Sequence, residues 1–330
     1  MRAIVLEEKG GPEVLRVRDV PDPVVGPEEV LVDVVSTAVN RAEVLQRMGM
    51  YPQPAPAPMF EIPGLEFAGR VVALGDRVIN WHVGDQLMGI VSGGGYASRV
   101  AVHERQAIRV PSTVSLRDAG SIPEVWITAF DALVAQGGLA PGGAVLIHAG
   151  GSGVGTAAIQ IAKAFGATVI VTASASKCAR CVEVGADRAV DYAAEDFVDA
   201  AREATGARGV DVVLDVIGGD YVDRNIDALA LRGTIVQVGT MGSGQATINV
   251  AKLMPKRARI IGTVLRARPL DEKITISQRF AREILPGFDT GRFRPVIDAR
   301  FSLDEMADAH RMMEANANFG KIAIDVQRSA

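Results

Sequence analysis

A glycine-rich turn and the few polar residues that follow it hold the chemistry most legible in this chain. The turn Gly150-Gly151-Ser152-Gly153-Val154-Gly155 follows the apolar run Val145-Leu146-Ile147 and His148, and Thr156 to Phe165 then predict a helix. Such a turn points bare backbone N–H groups and the positive end of a helix dipole at one spot, which suits a pyrophosphate. Against the spacing G-x-G-x-x-G, Gly150 and Gly155 take the outer places and Ser152 the middle one. Gly150 permits the sharp turn, Ser152 is small enough for phosphate to approach, and Gly155 lets helix and strand pack closely. Alone the match is weak, because glycine-rich turns often only save space. A strand predicted at Thr168–Thr172 completes a βαβ unit around it.

After that second strand the chain reads Thr172-Ala173-Ser174-Ala175-Ser176-Lys177. Dinucleotide folds that take NAD usually keep an acid here for the ribose 2′-OH, and this one has none. A carboxylate would repel a 2′-phosphate, whereas hydroxyls and a lysine bind one. Arg180, one helical turn on, adds charge. NADP is therefore expected over NAD. The alternative is that Ser174 and Ser176 only cap the next helix.

These residues need a parallel sheet to hold them. From Ser121 the pattern alternates: a helix at Trp126–Gln136, the unit above, strands at Arg188–Tyr192 and Val210–Asp215, a helix at Tyr221–Leu229, and strands at Thr234–Val238 and Arg259–Thr263. That alternation predicts an α/β, doubly wound Rossmann sheet of about six strands. Before it, short β-rich runs (Met1–Leu6, Leu15–Val20, Glu29–Val39, Gly69–Leu74, Gln86–Ile90, Tyr96–His103) are broken by Gly and Pro turns. They predict a compact, mostly antiparallel domain. Prolines at every second position from Tyr51 to Pro58 predict a stiff extended wall. Helices near Ser277–Leu285 and Ser302–Ala315 and a strand at Lys321–Val326 are expected to return to the first domain. The division is thus 1–121 with 264–330, and 122–263.

At 330 residues two domains are expected. A net charge of −4 supplies no field for nucleic acid. No apolar run approaches the ~20 residues that span a bilayer. The start meets charge at Glu7 and reads as a strand, not a signal peptide. Two cysteines, Cys178 and Cys181, fit a cytoplasmic, reducing setting.

A catalytic zinc needs three protein ligands, typically from Cys and His. The first domain has no cysteine, and His82 and His103 sit in turn and strand-end settings without companions. Cys178 and Cys181 are an incomplete metal site. They read either as small packing residues or as a redox pair whose thiolates Lys177 and Arg180 favour. No zinc is expected.

With these residues set out, the sequence resembles the zinc-independent quinone oxidoreductase (zeta-crystallin-like) branch of the medium-chain dehydrogenase/reductase superfamily, nearest to the tumour-suppressor-inducible type. The likeness spans nearly the whole chain. It is carried by Asn40-Arg41-Ala42-Glu43 with Gln46-Arg47-Met48-Gly49-Met50-Tyr51, by Pro63-Gly64-Leu65-Glu66, by Ser121 to Phe130, by His148 to Gly155, and by Glu314 to Ile322. In zinc-dependent relatives a cysteine stands at the position of Asn40 and a histidine at that of Leu65. The resemblance implies a GroES-like catalytic domain, a Rossmann domain, NADPH as donor and a quinone as acceptor. It also implies that Tyr51 and Asn40 face the nicotinamide and that Thr128 lies near the cofactor. Gly150, Ser152, Gly153, Val154 and Gly155 would hold the pyrophosphate. Ser174, Ser176, Lys177 and Tyr192 would enclose the 2′-phosphate, and Gly239, Thr240 and Met241 the nicotinamide ribose. Leu265 with Asn318 or Lys321 would close over the cofactor. At the outer wall of the acceptor loop Ser92-Gly93-Gly94-Gly95-Tyr96 the sequence departs from the resemblance.

A quinone is electron-poor and becomes aromatic on hydride addition, so positioning and a hydrogen bond to its developing oxyanion suffice. Tyr51 is the first candidate for that donor, or a stacking wall; Asn40 is an accessory donor, or a brace at a strand end. Glu43 is expected to pair with Arg47 at i, i+4. Rival readings are an enoyl thioester reductase acting on activated alkenes and a non-catalytic NADPH-binding crystallin or sensor. The edge strand Arg259–Thr263 predicts a homodimer through the Rossmann sheet.

Overall fold

The computed structural model describes residues 1–51 and 59–327. The stretch read as a proline wall therefore lies, apart from Tyr51, outside the described residues. The chain forms two compact units, Met1–Ile127 with Leu265–Ala330, and Thr128–Val264.

The first unit opens with an antiparallel ribbon of β1 (Arg2–Val5) and β2 (Arg16–Asp19). The long β3 (Glu29–Val39) pairs antiparallel with β4 (Glu66–Leu74) and, along its first half, with β6 (Arg99–His103). β5 (Gln86–Ile90) joins β4 to the short β7 (Ile108–Arg109). Val30, Val32 and Val34 recur at period two and are fully buried with Phe67 and Leu87, as a sheet face packed on a core requires. The helix Arg41–Arg47, implied in the sequence only by the helical i, i+4 spacing of Glu43 and Arg47, begins where β3 stops.

In the second unit β8 (Ala144–Ile147), β9 (Thr168–Ala173), β10 (Arg188–Asp191), β11 (Val210–Asp215), β12 (Leu229–Gln237) and β13 (Arg259–Gly262) lie all parallel in the order β10-β9-β8-β11-β12-β13. Val145 to Ile147, Val169 to Val171 and Val212 to Leu214 have no exposed surface, because helices cover both faces of a doubly wound sheet. The chain runs from β8 to β9 and β10 on one side, then returns to place β11, β12 and β13 on the other. That reversal, between β8 and β11, opens a crevice at the carboxyl ends of the strands.

The chain then returns to the first unit. The helix Leu270–Glu283 starts earlier than the sequence pattern implied. β14 (Ile297–Ser302), which the sequence pattern did not indicate, pairs parallel with β15 (Lys321–Asp325). Every residue of β14 is half-exposed, so it lacks the apolar alternation that marks a strand in sequence. β15 pairs antiparallel with β3, Ala323 opposite Ala38, and so brings Lys321 to the end of β3.

Candidate active site

In the second unit the helix Gly153–Ala164 starts at the crevice. Ser152 is its N-cap, and its hydroxyl accepts from the Gly155 N–H at 3.0 Å. The Gly153 and Val154 amides, next in the first turn, have no acceptor among the described residues and are available to an anion. A Cβ on Gly155 would lie 2.4 Å from the Ala149 carbonyl oxygen, and one on Gly150 would lie 2.7 Å from the Val171 Cβ. Both glycines are therefore demanded by close packing, and Ala149 takes a left-handed φ of 55° to make the turn.

Because β9 and β10 are parallel neighbours, Ser174, Ser176, Lys177 and Tyr192 all follow strand ends on the same edge, and the Tyr192 N–H donates to the Ala173 carbonyl at 3.2 Å. Ser174 holds the N-cap position of the helix Ala175–Val184 but makes no capping bond with its side chain; its hydroxyl lies 3.4 Å from that of Ser176. The Ser174 hydroxyl therefore does not cap this helix. Gly239, Thr240 and Met241 follow β12 on the same edge, with the Met241 N–H donating to the Val216 carbonyl at 3.0 Å. Thr128 lies in the helix Pro123–Phe130 and is nearly buried.

A buried network missed in the sequence ties these loops together. His148 is wedged edge-on between Phe197 and Tyr221, with Nδ1 2.9 Å from the Thr172 hydroxyl and Nε2 2.7 Å from Asn225 Oδ1. Burial lowers its pKa and keeps the ring neutral. Asn225 in turn donates to Asp215, whose other oxygen accepts from the Ile217 and Gly218 N–H groups. Thr172, His148 and Asp215 end three adjacent strands, so one network fixes the edge that carries the glycine turn.

Lys177 and Arg180 do not activate the cysteine pair. Burial pushes the Cys181 thiol up to about 12 and also raises Cys178, against the pull of Lys177 and Arg180 on Cys181.

In the first unit a polar cluster stands where β3, β4 and β15 meet. Asn40 caps the helix Arg41–Arg47 in a box with Glu43. The Glu43 carboxylate accepts from the Asn40 N–H (2.9 Å), Asn40 Nδ2 (3.2 Å) and the Leu65 N–H (3.1 Å). Burial still raises it to about 7, opposed chiefly by Lys321. The expected Glu43–Arg47 pair is absent: Arg47 pairs with Glu314 instead, because Glu43 points back at the helix start. Asn40 Nδ2 also donates to Glu66 Oε1 at 3.0 Å, so both its N–H groups are spent and the side chain braces the strand end.

Lys321, expected as an alternative to Asn318 to close over the cofactor, is buried at the end of β3. Its ammonium sits between the Val39 carbonyl (3.1 Å), Asn40 Oδ1 (2.6 Å) and Glu66 Oε1 (2.7 Å), which uses all three hydrogens. Asn318 is buried, its amide turned onto the Gly320 carbonyl at 2.7 Å, and Leu265 is buried in the same unit.

Around this cluster stand further groups that the sequence reading did not single out. Arg266, nearly buried, holds its guanidinium 5.2 Å from the centre of the Tyr51 ring and donates to the Ser92 carbonyl at 2.8 Å. Lys273 donates to the Ser92 hydroxyl. Glu124 donates its N–H to Glu66 Oε2 at 2.9 Å. Burial raises the Tyr51 hydroxyl, and the charge of Glu124 adds to the rise. Glu66 and Glu124 were within reach of a sequence reading, since both lie inside the family markers Pro63–Glu66 and Ser121–Phe130.

A zinc ion does not fit. At the two positions where zinc-dependent relatives carry ligands, this chain has an amide already bonded at every atom and the apolar Leu65, with an ammonium beside them. Among the described residues no group of three or more His, Cys, Asp or Glu is arranged to hold a metal.

A GroES-like β unit and a doubly wound unit with a glycine turn at its switch point define a medium-chain dehydrogenase/reductase, and the chain belongs to that family of oxidoreductases. Residues 26–112 match the alcohol dehydrogenase GroES-like domain and residues 153–281 the zinc-binding dehydrogenase domain. The quinone oxidoreductase of Lama guanicoe is 30% identical over 98% of this chain and 97% of its own. Among solved structures, the quinone oxidoreductase of Pseudomonas syringae pv. Tomato is 28% identical with a TM-score of 0.88, covering 98% of this chain and 99% of its own. That of Escherichia coli, solved in complex with NADPH, is 26% identical with a TM-score of 0.87, covering 99% and 100%. Among the described residues no helix is long and apolar enough to cross a membrane.

Proposed function

We propose that the protein is an NADPH-dependent, metal-free quinone reductase of the cytoplasm, working as a homodimer. The observation that carries the reading is the pairing of Lys321 with Glu66 and Asn40: an internal ammonium fills the ground where a metal-using relative would build its ligand set. An alcohol needs a Lewis acid to give up its proton, whereas a quinone accepts hydride without one. NADPH, when bound, supplies that hydride. The first helix turn at Ser152, Gly153 and Val154 binds its pyrophosphate, and Ser174, Ser176, Lys177 and Tyr192 receive the 2′-phosphate. Gly239, Thr240 and Met241 line the ribose, with Thr128 nearby. Tyr51, with Arg266 over its ring, stacks on and orients the acceptor.

The test is a panel of quinones and enoyl thioesters assayed with NADPH and NADH. Quinones turned over with NADPH, in the presence of a chelator, support the reading; turnover of thioesters alone makes the protein an enoyl reductase. Lys177→Ala is expected to weaken NADPH binding at least tenfold, the scale of one lost charge-assisted contact at about 1.5–3 kcal/mol, and to leave NADH nearly unchanged. Equal losses for both would remove Lys177 from the 2′-phosphate site.

A further inference from the structure

The carboxyls of the first unit are unequal in a way that the proposed reaction can use. Glu43, Glu66 and Glu124 share one neighbourhood, and the ammonium of Lys321 acts on both Glu43 and Glu124. Glu66 has taken that ammonium, together with the Asn40 amide and the Glu124 N–H. Glu43 has three N–H donors. The partly buried Glu124 carboxyl has no hydrogen bond or ion pair from any described residue. Where three carboxyls crowd together, the one without donors is the one that keeps its proton to the highest pH. Burial, with the charges of Glu66 and Glu43 behind it, lifts Glu124 to about 8, while Lys321 and Arg266 pull the other way. A neutral carboxyl carries an O–H that can donate to a bound molecule. Tyr51, proposed above to orient the acceptor, senses the charge of Glu124, as do Arg266 and Lys273.

We propose that Glu124 is the acid of the reaction, its O–H bonded to the acceptor oxygen and its proton transferred there as hydride arrives. This rests on the quinone reductase reading. One hydride, with two electrons, enters the acceptor, and the displaced π pair settles on a carbonyl oxygen. The Glu124 O–H bond breaks as the new O–H bond forms, leaving a carboxylate that a solvent proton restores. The acceptor is reduced by two electrons and the cofactor oxidised by two. Arg266 and Lys273 offset the carboxylate that appears. Burial raises the Tyr51 hydroxyl, and Tyr51 serves to orient.

The experiment compares wild type with Glu124→Gln. NADPH affinity is expected to stay within about twofold, while quinone turnover falls on the order of a hundredfold, the low end for loss of a general acid. Wild-type turnover declines as pH rises through about 8, since the acid form is lost there, and the variant shows no such limb. Glu124→Asp, an acid one methylene shorter, regains part of both. Independently of turnover, infrared difference spectra of the cofactor-free protein show a neutral carboxyl band that disappears with a midpoint near pH 8 in wild type and is missing in Glu124→Gln. An unchanged rate and pH profile in the variant, or no such band in wild type, overturns the proposal while the reductase reading stands. A wild-type protein that binds NADPH and reduces no quinone overturns the reading and this role together.

Discussion

At the scale of single residues, the proposed metal-free reading rests on charge placement. Lys321 brings an ammonium to the end of β3 from 281 positions away, and Glu66 and Asn40 close on it. An ion pair this deep adds little net stability, because both partners have left water, but removing one partner strands the other. Lys321→Met is therefore expected to cost about 3–5 kcal/mol, read as a lower urea midpoint with an unchanged slope. A loss below about 1 kcal/mol would mean that the pair is solvated in solution, as exposed pairs are. The same logic explains why Asn40 misleads in sequence: an amide at a strand end looks like a free donor until its cap and its carboxylates are seen.

Among the elements, the strand β8, its glycine turn and the helix Gly153–Ala164 behave as one piece. The turn needs bare backbone where helix and strand approach, and the distances leave no room for a methyl at Gly155. Gly155→Ala is expected to force the helix start away from Ala149, costing about 1–3 kcal/mol and weakening NADPH binding through the displaced Gly153 and Val154 amides. Calorimetric titration alongside thermal unfolding checks both; tight binding in a destabilised variant would separate the turn's packing role from its phosphate role. The His148 network works at the same scale, since it ties three strand ends by side chains that are buried and satisfied. The sequence offered only a histidine after a strand, and nothing local marks Asn225 and Asp215 as its partners.

For the whole molecule, β13 is paired on one side only and leaves Ile260 partly exposed, with Leu231 and Val264 exposed as well. A bare parallel edge of this kind invites a second copy. Ile260→Asp is expected to convert a dimer to a monomer in sedimentation at micromolar protein; a wild type that sediments as a monomer removes the dimer from the reading. The doubly wound sheet, the glycine turn and the missing acid after β9 were all readable from the chain alone. Each is a matter of local spacing: periodicity sets strands and helices, and a phosphate is held by consecutive amides within one turn. The strand β14 was not readable, because it is half-exposed along its length, and the short helix Arg41–Arg47 showed only in the i, i+4 spacing of Glu43 and Arg47. The first-unit cluster was not readable for a different reason. Positions 40, 43, 66, 124 and 321 become neighbours only when β15 pairs with β3, and whether a glutamate keeps its proton depends on burial and on how many donors reach it. Residue type alone determined which groups were available; tertiary packing decided which of them were spent on one another and which one, Glu124, was left to act.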